Sequence, residues 1–227
     1  MAKSKICNCG CGAEFVPTKL GQKQVSQSHY ITWLINTPEG QKKQAEAKEK
    51  AKKIIAKAEK KKDKDQREKL KTLSDWNNDL QKEINLIVRL IDKNHPCISS
   101  NRNLGNSYDA GHLFGRQSNP HIRYHLFNIF AQSVHDNQHK SGNQLAFVDG
   151  IEKTFGVEIK NYCLSLKGLP ILKLSILEIK DKIVICRRIV KWLKKEDRKF
   201  SIQERILLRI KFIEVIGLYE NNVNFAV

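Results

Sequence analysis

The amino-acid sequence predicts an α+β fold in which a small core of short strands is embedded in helices. Three observations lead to this prediction. Residues 41–93 contain no glycine or proline, which favours a long helix or two abutting ones. Residues 94–143 are rich in His, Asn and Gly and carry only short apolar runs, which favour short strands joined by loops. From residue 144 onward, apolar residues again recur at helical spacing.

The composition indicates a polyanionic partner and an intracellular setting. The 227 residues include 41 Lys or Arg against 24 Asp or Glu, so the formal net charge is +17. Nucleic acid is the usual partner of such a basic chain, whereas a membrane surface would require a wider apolar helix face. The polar N-terminus has no apolar signal region, and no apolar run approaches the length of a spanning helix. We expect a cytoplasmic protein without a membrane partner.

Changes in composition divide the chain into four regions. Residues 1–36 form an N-terminal module with closely spaced Cys and His, 37–93 a long Lys-rich helical segment, 94–156 the core, and 157–227 a helical C-terminal region. The module could be a degenerate zinc finger, although three cysteines in a C-x-C-x-C arrangement are cramped for one ion. Its candidate zinc ligands are Cys7, Cys9, Cys11 and His29.

The two halves of the Lys-rich segment differ. The first half contains acidic and basic residues, mostly lysine, and few apolar residues, which predicts a solvent-exposed helix. This helix could also bind DNA nonspecifically. The second half carries a stripe of aliphatic residues that either packs in the core or joins two copies of the chain. This stripe consists of Leu70, Leu73, Leu80, Ile84, Ile87 and Ile91.

The C-terminal half is predicted to be helical. Helices are expected over Leu145–Phe155, Leu174–Lys194 and Ser201–Tyr219. Ser201 and Glu204 have the spacing of a capping box at the start of the last helix. Two further cysteines lie among aliphatic residues and are interpreted as buried thiols, namely Cys163 and Cys186.

Four polar residues within 97–143 have the chemistry that nucleic-acid hydrolysis requires. A neutral imidazole can activate water as a general base, a carboxylate or imidazole can hold a divalent cation, and an amide can orient the general base. These residues are Asp109, His112, Asn128 and His139. Arg116, Arg123 and Lys140 flank them and could bind phosphates. His121 and His125 are predicted to be surface histidines.

The strings DAGH, RYHLFNI and NQHKSGN resemble the phage NinG (Rap) recombination endonucleases, whose core is an HNH ββα-metal motif. The resemblance implies that His112 is the general base and that Asn128 orients its imidazole. It also implies that Asp109 and His139 hold one Mg²⁺ or Mn²⁺. Gly111, beside His112, suggests close approach of a DNA backbone.

The chain departs from this family where a structural zinc is expected beside the core. The corresponding positions are Cys97, Ser100, Ser133 and Asp136, so three of four thiolates are missing and zinc is not expected there. A rewired zinc site from His95, Cys97 and His135 is the alternative. The core is expected to be stabilised by packing instead.

The resemblance implies a metal-dependent HNH endonuclease that acts on branched DNA, such as Holliday junctions and D-loops, during phage recombination in the host cytoplasm. Two alternatives stay open. One is a nicking or restriction-type HNH nuclease that does not depend on branched structure. The other is a non-catalytic DNA-binding recombination accessory protein. A homodimer is a further hypothesis, because two-fold symmetry suits a junction-cutting enzyme.

Overall fold

The structure, a computed structural model, describes residues 3–220 and folds as two units, Met1–Leu70 and Lys71–Val227. It is mostly helical and has two antiparallel sheets of two strands each, in agreement with the predicted α+β class. Within the described residues, none of the helices combines the length and the apolar character needed to span a bilayer.

The first unit begins with a short hairpin and continues as two helices. Strand β1 (Lys5–Ile6) pairs with β2 (Glu14–Phe15), and helices α1 (Gln27–Asn36) and α2 (Pro38–Leu70) follow. The two helices approach closely, since a Cβ added to Gly40 would lie 2.1 Å from the carbonyl oxygen of Trp33. Glycine is therefore required at this position.

Helix α2 is solvated along its length, as the sequence predicted. Its 33 residues include 13 Lys or Arg and 7 Asp or Glu, and Gly40 is its one buried residue. Even Ile54 and Ile55 are 69% and 58% exposed. The helix ends at Leu70, and Thr72 begins the next helix with a capping box to Asp75, so the long segment is two helices.

Within residues 71–220, the second unit contains five α-helices and the second sheet. Helix α3 (Leu73–Ile91) precedes strands β3 (Asp109–His112) and β4 (Ile129–Gln132), which pair antiparallel with Asp109 opposite Gln132. The remaining helices are α4 (Gln144–Phe155), α5 (Val157–Ser165), α6 (Ile176–Glu196) and α7 (Ile202–Ile216). The capping box of Ser201 and Glu204 is confirmed. Helix α5 was not predicted, because only two of its nine residues are buried and they define no stripe.

The aliphatic stripe of α3 packs inside this unit. Leu80, Ile84, Ile87 and Ile91 are fully buried, and α3 packs chiefly against α6 and against the sheet. The prediction of a core role is confirmed for these four residues. Leu70 and Leu73 are 81% and 46% exposed, so the buried stripe begins later than predicted. Cys163 and Cys186 are buried thiols as expected, and burial raises the pKa of each to about 12.

A buried charge cluster joins the end of α3 to α7. The carboxylate of Asp92 accepts hydrogen bonds from Arg205 at 2.8 and 3.0 Å and from Arg209 at 2.8 and 2.9 Å. It also accepts one from the backbone N–H of Ala131 on β4, at 2.9 Å. Burial raises the pKa of Asp92, but the two guanidinium groups outweigh it and the net shift is downward. We name these three side chains the Asp92 cluster.

His125 is buried, so its prediction as a surface histidine is wrong. Its ring contacts Tyr162 and Tyr219, with centroids 5.9 and 4.8 Å away, and its Nδ1 accepts a hydrogen bond from the N–H of Phe127 at 3.2 Å. Burial lowers the pKa of His125 to about 3. His121, by contrast, is half-buried, and its Nε2 lies 3.3 Å from the carbonyl oxygen of Lys167.

The burial of His125 predicts a pH-dependent stability. In the unfolded chain its pKa is near 6.5, so the folded state binds fewer protons between about pH 6.5 and pH 3. A difference of one bound proton lowers the free energy of unfolding by about 1.4 kcal/mol for each pH unit of acidification within that window. We expect His125→Gln to remove this contribution to the pH dependence of the free energy of unfolding, as measured by urea unfolding between pH 7 and pH 4.5. An unchanged slope would show that His125 does not contribute.

Candidate functional site

A polar cleft of about 470 Å³ in the second unit contains the first two predicted site residues, Asp109 and His112. Both come from β3, and the loop after that strand and helix α3 supply other parts of the wall. The remaining lining residues are Lys82, Asn85, Arg89, Ala110, Gly115, Arg116, Asn137, Ser141 and Gly142.

The imidazole of His112 is kept neutral and is oriented by hydrogen bonding. Burial lowers its pKa to about 4, and the guanidinium groups of Arg116 and Arg123 add to this effect against the raising influence of nearby carbonyls. Its Nε2 lies 3.1 Å from the carbonyl oxygen of Arg123. Nε2 donates to this carbonyl in one tautomer and accepts a hydrogen bond in the other. The amide nitrogen of Gln81 lies 3.2 Å from the same Nε2.

Asp109 faces a turn that follows β4. Its Oδ2 accepts hydrogen bonds from the side-chain amides of Asn137 at 2.8 Å and Gln138 at 2.9 Å. Both amides belong to a π-helical turn, His135–His139. Such turns are rare and often occur at functional sites. Asn137, which lines the cleft, was not predicted as a site residue.

The other two predicted site residues lie elsewhere. His139 is exposed and absent from the cleft lining, and its ring lies 5.7 Å from that of His135. The fully buried Asn128 hydrogen bonds to the backbone of Phe114 and Ile122. Its amide therefore fixes the loop between the strands, and the imidazole of His112 is oriented by the carbonyl of Arg123 instead.

Gly111 lies close to a side chain of the neighbouring strand. A Cβ at this position would lie 2.1 Å from Oε1 of Gln132, its diagonal neighbour on β4. The amide of Gln132 in turn donates to Ser99 and to the carbonyl of Gly142, each at 2.7 Å. The close approach predicted at Gly111 is thus made by a side chain of the same unit.

The three predicted DNA-binding cations differ in their surroundings. Arg116 is exposed and lines the cleft. Arg123 donates to Gln81 at 3.2 Å, and Lys140 forms an ion pair with Asp136 at 3.5 Å, so both already have partners. Lys82, Asn85 and Arg89 were missed because they lie on α3, about twenty or more residues before β3, where periodicity indicates only a polar helix face.

The four positions where the resemblance implies a second zinc site do lie together. The carboxylate of Asp136 accepts hydrogen bonds from Ser133 at 2.8 Å and from Cys97 at 3.4 Å, and the N–H of Ser133 donates to Cys97 Sγ at 3.2 Å. The buried hydroxyl of Ser100 has no hydrogen bond of good geometry, yet it lies close enough to help lower the pKa of Asp136. The rewired alternative is not formed, since His95 Nε2 bonds to the carbonyl of Phe200 at 2.8 Å.

The N-terminal unit contains a cluster of four side chains that could hold a metal ion. The Nδ1 of His29 lies 3.2 Å from the sulfurs of Cys9 and Cys11 and 3.8 Å from that of Cys7. All four ligand atoms lie within 4.8 Å of one another. This is the donor set of a structural Cys₃His zinc site, with ligands at about 2.0–2.3 Å from the ion. No second cluster of three or more Cys, His, Asp or Glu arranged in this way occurs within residues 3–220.

Two glycines make the narrow cysteine spacing possible. Gly10 and Gly12 have φ values of +88° and +74°, which other residues rarely adopt. Gly10 lies between Cys9 and Cys11, and Gly12 follows Cys11. The thiol of Cys11, burial and the thiol of Cys7 together raise the pKa of Cys9 to about 11. Three sulfurs so close together favour a shared cation, because one Zn²⁺ neutralises the thiolates that otherwise repel each other.

The curated relatives that match the chain are phage proteins. Protein ninG of Enterobacteria phage H19B is 38% identical over 78 residues, which is 34% of this chain and 39% of that protein. Protein ninG of Escherichia phage lambda and that of Salmonella phage P22 are each 37% identical over 78 residues, 38% of their length. The matches thus span about two fifths of these relatives. No solved structure matches.

A family model covers far more of the chain than these pairwise matches. The model described as "Bacteriophage Lambda NinG protein" matches residues 1–196, which include the Cys₃His cluster, the polar cleft and all helices up to α6. The chain therefore belongs to the NinG family.

Proposed function

We propose that the chain is a metal-dependent DNA endonuclease whose active site is the polar cleft. The observation that supports this most directly is the pairing of a carboxylate with a neutral, oriented imidazole on one strand, in a cleft whose other charged lining residues are cations. Water activation requires a base that is unprotonated at neutral pH, and the phosphate backbone of DNA requires positive charge. As in HNH enzymes, two antiparallel strands and a following helical turn surround the site.

The residues beside Asp109 fit a hard divalent cation such as Mg²⁺ or Mn²⁺. These ions prefer oxygen ligands and are commonly held by one or two protein groups together with substrate phosphates. The amides of Asn137 and Gln138 already face the Asp109 carboxylate, and either can turn to present its oxygen. When bound, the cation would neutralise charge on the scissile phosphate and the leaving oxygen. We therefore propose Asp109 and Asn137 as ligands in preference to His139.

His112 is proposed to accept the proton of the attacking water. The carbonyl of Arg123 and the side-chain amide of Gln81 both contact Nε2 and fix the orientation of the ring. Burial prevents the imidazole from being protonated at neutral pH, so the basic form predominates. Arg116, which lines the same cleft, would contact the phosphate backbone.

The experiment compares a four-way junction, a D-loop and a linear duplex of matched sequence, with Mg²⁺, with Mn²⁺ and with chelator. We expect metal-dependent cleavage, and we expect His112→Ala to lower its rate about a hundredfold or more, as for loss of a general base. Preference for the branched substrates supports the recombination role, and equal cleavage of linear DNA supports the nicking-type alternative.

His135→Ala is the matched control for this variant. His135 is also a histidine of the second unit, but it is exposed and outside the cleft lining. Its removal should leave the cleavage rate unchanged. Circular dichroism would verify that both variants fold. Equal loss of activity in the two variants would contradict the assignment of His112.

A non-catalytic DNA-binding protein is the second candidate. The position of His139 outside the cleft favours it, because the ligand set implied by the family resemblance is then incomplete. Binding of DNA without cleavage under every metal condition would support this candidate and would contradict the nuclease proposal.

A further inference from the structure

We infer that one face of α3 forms a wall that binds the phosphate backbone of DNA, built by Lys82, Asn85 and Arg89. This inference rests on the proposed function, because it concerns how the substrate of the same cleft is bound. The three residues lie outside β3, β4 and the turn after them, so they add a separate element to the site.

The spacing of these residues places them on one side of the helix. They follow one another by three and four positions, which is the neighbour spacing on a helix surface. At 1.5 Å per residue, Lys82 and Arg89 are about 10 Å apart along the axis. Asp109 and Arg116 line the same cleft, so the α3 wall borders the proposed metal ligand.

The charges of the cleft favour an anion. Its lining contains three cations, Lys82, Arg89 and Arg116, against a single carboxylate, that of Asp109. Lys82 forms an ion pair with Asp79 at 3.0 Å, but its side chain is 76% exposed, so the pair is weak and easily exchanged. Among residues 3–220, the guanidinium groups of Arg89 and Arg116 take part in no ion pair, which leaves both available for phosphates.

A second cleft continues the wall beyond Arg89. It has a volume of about 400 Å³ and shares Arg89 with the first cleft. The described residues that line it include Lys93 and the amides of Asn94 and Asn103, and none carries a carboxylate. A sugar–phosphate chain that leaves the first cleft over Arg89 would therefore meet further donors. Among them, Lys93 forms an ion pair with Asp197 that is exposed on both sides and that a phosphate can replace.

Contacts of this kind fix the position of DNA without reading its sequence. Lysine and arginine at phosphates supply affinity that depends strongly on salt and little on the bases. We therefore expect the α3 wall to bind linear duplexes of different sequence with similar affinity. Any selection for branched DNA would then arise elsewhere in the protein.

The test measures binding apart from cleavage. The protein carrying His112→Ala binds a short linear duplex in buffer without added Mg²⁺ or Mn²⁺ and without chelator, over a range of salt concentrations. We expect Lys82→Gln combined with Arg89→Gln to weaken binding about tenfold or more at physiological salt. We also expect the slope of log K against log salt to become shallower by about 0.9 for each lost phosphate contact, about 2 in all.

The matched control removes the same charge from another surface. Lys194 and Lys195 lie exposed in the last turn of α6, outside both clefts, and Lys194→Gln combined with Lys195→Gln should change the slope little. Equal effects of the two double variants, or no effect of either, would overturn the α3 wall.

The outcomes for the wall and for the nuclease are distinguishable. Loss of binding in the Lys82 and Arg89 variant, together with no cleavage by the unaltered protein, would support the wall and reject the nuclease. Cleavage by the unaltered protein, together with unchanged binding in that variant, would reject the wall alone.

Discussion

Replacement of Asp92 by alanine is expected to lower the free energy of unfolding by about 3–5 kcal/mol. The carboxylate is fully buried and accepts hydrogen bonds from both Arg205 and Arg209, whose side chains are 4% and 0% exposed. Its removal leaves two buried guanidinium groups without a counter-charge. Urea unfolding followed by circular dichroism would measure the loss.

The matched control for this variant is Asp149→Ala, which removes an exposed aspartate from α4. Its effect should lie within about 0.5 kcal/mol, as is usual for surface positions. Similar losses for the two variants would contradict the structural role of the Asp92 cluster. Simultaneous replacement of all three charged residues by apolar ones should cost less than Asp92→Ala, because no buried charge then remains unpaired.

Removal of metal from the N-terminal unit is expected to unfold its Cys/His module. The strands β1 and β2 have two residues each, and α1 has no buried side chain, so apolar packing contributes little there. Zinc binding in small modules supplies on the order of 10 kcal/mol, which is then most of their stability. We expect one zinc per chain by elemental analysis, and chelation should abolish the protection of backbone amides within residues 3–36.

Two cysteine variants would assign this metal to the cluster. Cys11→Ser removes one ligand and should reduce zinc content strongly, since serine is a poor ligand for structural zinc. Cys186→Ala removes a thiol buried in α6 and should leave zinc content unchanged. Zinc that is retained in the first variant, or absent from the unaltered protein, would contradict the assignment.

Helices were predicted well wherever local signals define them. The α3 stripe and the capping box at Ser201 depend on residues within a few positions of one another, so they are visible in the sequence. The burial of His125 was not predicted, because the rings that cover it, those of Tyr162 and Tyr219, lie 37 or more positions away in the sequence. The short α5 was missed for a related reason, since it is stabilised by packing in the assembled unit.

The candidate site was predictable only in part. Asp109 and His112 share a strand, so their common place in one cleft follows from local structure. The residue of the turn after β4 that contacts Asp109 could not be predicted, because it depends on the π-helical geometry of that turn. The wider spacing of a π-helix brings Asn137 to Asp109 and leaves His139 outside the cleft lining. The α3 wall could not be predicted, because it requires the packing of distant segments.

The Asp92 cluster also has a consequence for the synthesis of the protein. Asp92 precedes Arg205 and Arg209 by 113 and 117 positions, and both arginines lie on α7. At about 5–20 residues per second, translation needs on the order of ten seconds to reach them after Asp92 is made. The nascent chain therefore cannot close its core around this carboxylate until α7 has left the ribosome, and a chain interrupted before α7 would expose Asp92 to water.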